Sequence, residues 1–191
     1  MTLAVDAIVS RCHSALQEHT PVLAVRDVLS ELVADAGALA DTLGPVEQGG
    51  ITTLHHAPDL TILHVAWTPG IVLNPHEHSM WAVIGMYGGQ EDNTFYRRTP
   101  DTLEPAGGRD LRAGDVLVLG EDAIHSVANS HREYAVALHV YGGDFFSAER
   151  SEWEFGTFVE RPRDLEGTRR LFDEANARWN EETAGATPPQ A

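Results

Sequence analysis

Residues 70–78 read Gly-Ile-Val-Leu-Asn-Pro-His-Glu-His, and two histidines, His76 and His78, stand two positions apart at the end of this run. Successive side chains of a β-strand alternate between its two faces, so both imidazoles are predicted to lie on the same face. Two imidazoles on one face can bind a single metal ion, provided that a third ligand arrives from another strand. Glu77, which lies between them, is predicted to point away from that ion.

A second segment supplies a candidate for the third ligand. Residues 114–129 read GDVLVLGEDAIHSVAN, in which Gly114 permits a turn, an apolar strand follows, and His125 begins the next strand. His125 could therefore supply the third ligand to a metal ion that His76 and His78 bind.

The composition indicates one globular domain and excludes several classes of function. The chain has 191 residues, of which 42% are hydrophobic and 22% charged, and this excludes wholesale disorder. Its formal net charge of −16, with arginine as the only basic residue besides histidine, disfavours nucleic-acid and membrane partners. No apolar run approaches the ~20 residues of a membrane span, and no signal-peptide pattern is present. The single cysteine, Cys12, excludes an intrachain disulfide, so a cytoplasmic location is expected.

The hydrophobic pattern divides this single domain into a helical extension, a β-rich barrel and a last helix. Helical spacing covers residues 1–44, and the last helix is predicted over 161–183, before a disordered tail at 184–191. Short β-rich runs separated by turn residues fill 45–160, which is typical of a sandwich or barrel. The predicted strands cover residues 51–55, 61–67, 81–87, 94–97, 116–119, 126–128 and 135–140. Residues 90–93 (QEDN) are predicted to form a solvated hairpin turn, with Asn93 a lesser candidate for the pocket.

The two histidine segments resemble the paired motifs of the cupin superfamily. The matching positions are Gly70, His76 and His78 in the first motif and Gly114, His125 and Asn129 in the second. The resemblance implies a mainly β fold, the cupin double-stranded β-helix or jelly-roll-like barrel, here extended by N-terminal helices and a C-terminal helix. Cupins usually add a glutamate ligand three or four residues after the second histidine, where this chain has Ala82 and Val83. The expected site is therefore three neutral imidazoles without a carboxylate.

Within the cupins, residues 45–150 resemble cysteine dioxygenase and the bacterial thiol dioxygenases, which use a three-histidine Fe(II) site. The resemblance lies in residues 75–98, in AIHSV at 123–127 and in AVALHVYGG at 135–143. It implies a catalytic pair in which His139 holds Tyr141, and Tyr141 donates a hydrogen bond to bound oxygen. The family's serine two positions before the histidine is Ala137 here, so His139 needs another outer partner, such as water. The crosslinking cysteine of the mammalian cysteine dioxygenases is also absent, as it is from the bacterial relatives.

The arginine that anchors the substrate carboxylate in cysteine dioxygenase has no counterpart upstream of the histidine pair. No arginine or lysine lies between Arg26 and Arg97, and His55 and His56 occupy the expected region. His64 is a further pocket candidate, although a packed core histidine is the more typical role. The arginines that could act from another direction are Arg97, Arg98, Arg161 and Arg163. Free L-cysteine is therefore predicted to be a poorer substrate than a thiol without the α-carboxylate, or than a larger thiol that reaches Arg97 or Arg98.

These features favour an Fe(II)-dependent dioxygenase that oxidises a small thiol with O2 to a sulfinate. Two alternatives stay open. Zn, Mn or Ni in the same site would support isomerase, lyase or hydrolase chemistry, and a cupin can also bind a metal or a ligand without catalysis. The expected partners are a small-molecule thiol and O2, with no nucleic acid and no membrane, and the chain is expected to be a monomer or a homodimer.

Overall fold

The computed structural model describes residues 3–184, which form four helices and eleven strands. The helices are α1 (Val5–Ala15), α2 (Pro21–Ala34), α3 (Ala36–Leu43) and α4 (Leu165–Ala184). The strands are β1 (Gly50–His56), β2 (Thr61–Trp67), β3 (Val72–His76), β4 (Ala82–Gly88), β5 (Gln90–Arg98), β6 (Leu103–Arg112), β7 (Val116–Leu119), β8 (Ile124–Ala128), β9 (Ala135–Tyr141), β10 (Ser151–Trp153) and β11 (Glu160–Pro162). The tail predicted over 184–191 lies outside the described residues, except that Ala184 still belongs to α4.

Two antiparallel sheets are formed, with strand orders β1-β2-β9-β4-β7 and β11-β10-β3-β8-β5-β6. From β2 to β9 the chain pairs with itself like one long hairpin: β2 with β9, β3 with β8, β4 with β7 and β5 with β6. Successive pairs alternate between the two sheets, which is the arrangement of a double-stranded β-helix or jelly roll. The predicted fold class, mainly β with N-terminal helices and a C-terminal helix, is therefore confirmed.

The first sheet is covered on both faces. One hydrophobic cluster joins residues from both sheets and includes Phe172 and Ala175 of α4. A second cluster packs α1, α2 and α3 against the first sheet, and it includes Ile8, Val25, Leu29, Leu39, Ile62, Val83, Leu138 and Val140. A Cβ atom at Gly85 of β4 would lie 3.0 Å from Val33 and 3.1 Å from Leu29, so glycine at this position lets α2 approach closely.

The strand predictions succeed where apolar residues dominate and fail in segments rich in polar residues, whether these are exposed, as in β6 and β11, or buried, as at the start of β5. The strands predicted at 61–67 and 116–119 have the observed bounds, whereas β6, β10 and β11 were not predicted. The strand assumed for residues 70–78 is β3, which ends at His76. The solvated turn predicted at 90–93 is wrong, because β5 already begins at Gln90. Gly89, with φ of 64°, makes the turn one residue earlier. Glu91 and Asn93 then alternate into the interior, where other side chains satisfy their polar atoms.

Candidate metal centre

The three predicted ligand histidines meet inside the barrel. His76 ends β3 and lies directly opposite His125 of β8 in the antiparallel ladder, and His78 follows two residues after His76. The ring centroids are 4.7 Å apart for His76 and His125, and 5.1 Å for each pair with His78. One ligand nitrogen from each residue lies within 4.8 Å of the other two, and all three side chains are buried. Such a cluster could hold one metal ion.

The hydrogen bonds of the three rings suit this role. The Nδ1–H of His76 donates to the carbonyl oxygen of Asn74 at 2.9 Å, which leaves Nε2 with a free lone pair. Nδ1 of His125 lies 2.7 Å from Oδ1 of Asn93, so Nε2 of His125 is free in the same way. Nε2 of His125 and Nδ1 of His78 are buried and have no hydrogen-bond partner among residues 3–184. Buried polar atoms without a partner are costly, and a metal ion bound by either nitrogen would supply that partner.

The electrostatics favour neutral rings, the form that binds metals. Burial and the nearby Arg163 guanidinium lower the pKa of His125 to about 3. Burial and neighbouring cations also hold the pKa values of His76 and His78 well below the ordinary value. Glu77 lies outside the cluster, as predicted: its Oε1 accepts from the backbone N–H of Ser151 at 3.1 Å. The donor set therefore consists of neutral imidazoles, which are ligands that suit Fe(II), Zn and Ni.

His139 and Tyr141 stand next to the cluster on one face of β9. Nδ1 of His139 lies 3.2 Å from the hydroxyl oxygen of Tyr141, and the Tyr141 ring centroid is 5.2 Å from that of His78. Burial raises the pKa of Tyr141, which therefore keeps its proton at neutral pH. Burial lowers the pKa of His139 to about 3, so His139 is neutral. The structure thus places the predicted pair beside the candidate metal position.

A buried carboxylate that the sequence analysis assigned to a turn completes this region. Glu91 is fully buried, and its two oxygens accept from Nε1 of Trp67 at 2.5 Å and from Nδ2 of Asn93 at 2.8 Å. Oε2 of Glu91 also lies 3.8 Å from Nε2 of His139, which is too far for a hydrogen bond. Nε2 of His139 therefore has no hydrogen-bond partner among residues 3–184, and the outer partner expected for it, water, stays a prediction. The alternation of Glu91, Asn93 and Phe95 along β5 was the available signal that Glu91 is buried.

Arginines reach the site from the segment that follows β9. Arg163 lines the cavity beside the three histidines, and its side chain is 7% exposed because it pairs with the buried carboxylate of Glu152. The other predicted substitutes lie elsewhere: Arg97 pairs with Glu104 on the surface, Arg98 pairs with Glu160, and Arg161 contacts the outer side of Glu152. Arg150, which the sequence analysis did not consider, is also buried, with its guanidinium 4.0 Å from the centroid of the Phe145 ring.

The upstream histidines do not line this cavity. His55 contacts His13 of α1 with 3.1 Å between their Nε2 atoms, and the half-exposed His56 lies 2.7 Å from Asp144. His64 hydrogen-bonds the Tyr87 hydroxyl at 2.6 Å and is partly buried. The location expected near the substrate is therefore wrong for His55 and His56, which contact α1 and Asp144 instead. His64 has the packed role that its sequence context favoured. The cupin-motif residue Asn129 is structural: its Nδ2 donates to the carbonyl oxygens of Trp67 and Glu133, each at 2.8 Å.

The cavity at the cluster is small and opens towards a larger groove. It has a volume of about 30 Å³ and is lined mainly by apolar and aromatic side chains, with Thr168, Arg163, Tyr141 and the histidines as its polar part. A neighbouring groove of about 750 Å³ shares Arg163 and Leu165 with it. These two side chains thus separate the buried cluster from the surface groove.

Among residues 3–184, no helix combines the length and the apolar character needed to cross a membrane.

Solved structures that this chain resembles include proteins described as cupins or as double-stranded β-helix proteins. An uncharacterized conserved protein with a double-stranded β-helix domain from Klebsiella pneumoniae is 15% identical, and the match covers 57% of this chain and 83% of that chain with a TM-score of 0.45. A cupin superfamily protein from Desulfitobacterium hafniense is 17% identical over 58% of this chain and 88% of that chain, with a TM-score of 0.43. A recombinant oxalate oxidase in complex with glycolate is 17% identical over 51% and 53% of the two chains, with a TM-score of 0.40. No protein-family model matches the sequence. The strand order and the buried histidine cluster, rather than these distant likenesses, define the chain as a double-stranded β-helix with a candidate metal centre.

Proposed function

We propose that this chain is a non-haem Fe(II) thiol dioxygenase, similar to cysteine dioxygenase, that converts a small thiol, RSH, and O2 into the sulfinic acid RSO2H. Both atoms of O2 pass to sulfur and the electrons come from sulfur, so the reaction needs no other reductant. The observation that carries the proposal is the buried Tyr141 phenol beside three neutral imidazoles without a carboxylate. Held by His76, His78 and His125, Fe(II) would supply open coordination positions for thiolate and O2.

Tyr141 would orient the reacting oxygen. When Nδ1 of His139 donates to the phenol oxygen, 3.2 Å away, the Tyr141 O–H is free to donate into the cavity. The raised pKa of Tyr141 keeps that proton in place through the pH range in which a thiol reacts. His139 is then a positioning residue, because it acts on the reaction only through the direction of the Tyr141 hydroxyl.

Arg163 would select the polar end of the substrate. The cavity accepts little more than the sulfur end of a thiol, so the rest of the molecule must extend past Arg163 and Leu165 towards the groove. Among its lining residues in the described chain, the cavity has a guanidinium and no carboxylate, which favours an anionic end and disfavours an ammonium group. The strands before His76 therefore offer no cation to a substrate carboxylate, as predicted, but Arg163 would offer one from the other direction. We expect 3-mercaptopropionate to react faster than L-cysteine, which carries an ammonium group, and faster than cysteamine.

The apolar wall would protect the reaction from water. Leu63, Val65, Leu73, Val127 and Phe145 line the cavity together with Trp67. A water-excluding lining strengthens the interactions made by Tyr141 and Arg163, and it suppresses side reactions of reduced oxygen.

The test is oxygen consumption by iron-loaded protein, purified without a histidine tag, with 3-mercaptopropionate, cysteamine and L-cysteine. The expected result is one O2 consumed for each sulfinate formed, and a His78→Ala variant that consumes none above free iron. Oxygen uptake without sulfinate, or no uptake with any of these thiols, would contradict the proposal.

The donor set also supports a second candidate, a non-oxidative metal enzyme. Three neutral imidazoles are a ligand set of hydrolytic zinc sites, where the ion activates water. Metal analysis of protein expressed in unsupplemented medium distinguishes the two candidates, because zinc in stoichiometric amount together with oxygen-independent turnover would favour this second one.

A further inference from the structure

The Glu91 carboxylate occupies a position from which it can control a metal ligand that it does not touch. Glu91 lies in β5, which pairs with β8, the strand of His125. Asn93 stands between the two residues: its Nδ2 lies 2.8 Å from Oε1 of Glu91, and its Oδ1 lies 2.7 Å from Nδ1 of His125. All three side chains are buried, so no solvent competes for these hydrogen bonds.

The chemistry of the three groups gives the chain of hydrogen bonds one direction. A carboxylate oxygen accepts only, so the amide nitrogen of Asn93 must face Glu91. The amide oxygen of Asn93 must then face His125, and it also accepts only. Nδ1 of His125 therefore carries the proton, and Nε2, which has no partner among the described residues, keeps its lone pair for the metal.

Trp67 makes a carboxylate necessary at position 91. Its indole N–H donates to Oε2 of Glu91 at 2.5 Å, so a donor faces each of the two oxygens. Trp67 is itself held by stacking on Phe172 of α4, with ring centroids 5.4 Å apart. A glutamine at this position would direct its NH2 group at one of the two donors, and a buried pair of donors is costly.

We propose that Glu91 is a positioning residue that sets the tautomer of His125 through Asn93, so that Nε2 of His125 is ready to bind the metal. The inference rests on the metal centre of the proposed function, but it does not depend on thiol oxidation or on which metal is bound.

The Glu91→Gln substitution preserves the shape of the side chain, but it no longer fixes the direction of the hydrogen bonds from His125 through Asn93 to residue 91. If the glutamine oxygen stays with Trp67, its NH2 group meets Asn93, whose amide then turns its own nitrogen towards His125. Nδ1 of His125 must then accept, and the proton moves to Nε2, where it blocks metal binding. A Trp67→Phe substitution removes the competing donor, so the double variant W67F/E91Q can again present an oxygen to Asn93.

The experiment determines the tautomer of His125 directly, in metal-free protein labelled with 15N-histidine. Long-range 1H–15N correlation spectra are recorded at a pH above the pKa of Glu91, so that Glu91 is ionised. Burial raises the pKa of Glu91 to about 7. The wild-type protein is expected to have the Nδ1–H tautomer at His125, and Glu91→Gln is expected to shift it to Nε2–H. Titration with Co²⁺ should then detect a roughly 10- to 100-fold weaker affinity in the variant. The matched control is Asp92→Asn, the same change on the next residue of β5, whose side chain faces Ser130 on the outside.

Each outcome decides for or against the proposal. The Asp92→Asn variant should keep the wild-type tautomer and a Co²⁺ affinity within about twofold of wild type. W67F/E91Q should recover the Nδ1–H tautomer and most of the affinity, which mere structural damage at position 91 would not do. If Glu91→Gln does not fold, the double variant still tests the proposal by its tautomer. An Nε2–H tautomer in the wild-type protein, an unchanged tautomer in Glu91→Gln, or no recovery in W67F/E91Q overturns the proposal.

Discussion

Replacing Arg163 by glutamine should change which thiols this protein accepts. The Arg163 side chain is 7% exposed and is the charged group that lines the small cavity. A buried hydrogen bond to a charged group contributes about 1.5–3 kcal/mol, which corresponds to a roughly 10- to 150-fold change in rate. We therefore expect kcat/KM for 3-mercaptopropionate to fall by that factor in Arg163→Gln. The value for cysteamine should stay the same or rise, because its ammonium group no longer meets a cation.

The assay is oxygen consumption with both thiols, and the measured quantity is the ratio of the two kcat/KM values. General damage to the site lowers both values and cancels in the ratio. Arg161→Gln is the matched control for the Glu152 contact, because Arg161 contacts the same carboxylate at 2.8 Å but lines the neighbouring groove and not the small cavity. Each variant loses one partner of Glu152 and should lose about 1–3 kcal/mol of unfolding free energy or less. Arg161→Gln should keep the wild-type substrate ratio.

An equal loss for both thiols in Arg163→Gln would refute the reasoning, since Arg163 would then act only by holding the segment around Glu152. A changed ratio in Arg161→Gln would refute it as well, because the effect would come from Glu152 rather than from a cation in the cavity.

Three further predictions follow from the same site. Alanine at His76, His78 or His125 should each abolish stoichiometric metal, measured by elemental analysis, and full occupancy in one variant would remove that residue from the ligand set. Tyr141→Phe should keep the fold and the metal but lower turnover by about 10²-fold, and unchanged turnover would leave Tyr141 with a packing role only. The metal-free protein should lose stability as pH falls from 6.5 towards about 3, because unfolded His125 and His139 bind protons in that range and the folded rings do not. As the pH falls, each of these two histidines should lower the free energy of unfolding by about 1.4 kcal/mol per pH unit. Glu91, with its pKa raised to about 7, should raise the free energy of unfolding as the pH falls from about 7 to 4.5. Urea unfolding at pH 7 and pH 5 measures the sum, and equal stability at both would contradict the assignment of buried neutral histidines.

Local geometry explains which parts of the site could be predicted. Side-chain alternation along a strand depends only on the backbone, so it places His139 with Tyr141 in β9. It also predicted His78 beside His76, and the two do meet, although β3 ends at His76 and His78 lies just beyond it. The spacing of glycines and histidines in the two motifs then indicated that His125 joins them. The strands at 61–67 and 116–119 were predicted with their observed bounds because each is a short apolar run between turn residues, which is also a local pattern.

The polar part of the site could not be predicted in this way. Whether Glu91 faces solvent or the interior depends on donors from distant strands, Trp67 of β2 among them, and a run of four polar residues after two glycines resembles a turn. The pattern therefore predicted that Glu91 faces solvent. In the structure, β5 pairs with β8, and the Glu91 side chain lies in the interior instead.

From the sequence by itself the double-stranded β-helix and the three-histidine cluster were predicted, because strand alternation is a local property of the chain and the spacing of the two histidine motifs resembles that of cupins. Only the tertiary structure decided which cations and carboxylates surround them. Glu152 of β10 pairs opposite His76 of β3, and this pairing returns the chain after β9 to the cavity and brings Arg163 with it. Contacts between residues so far apart in sequence depend on how sheet edges pair and how the resulting charges are buried, and neither is encoded in any short stretch of the chain.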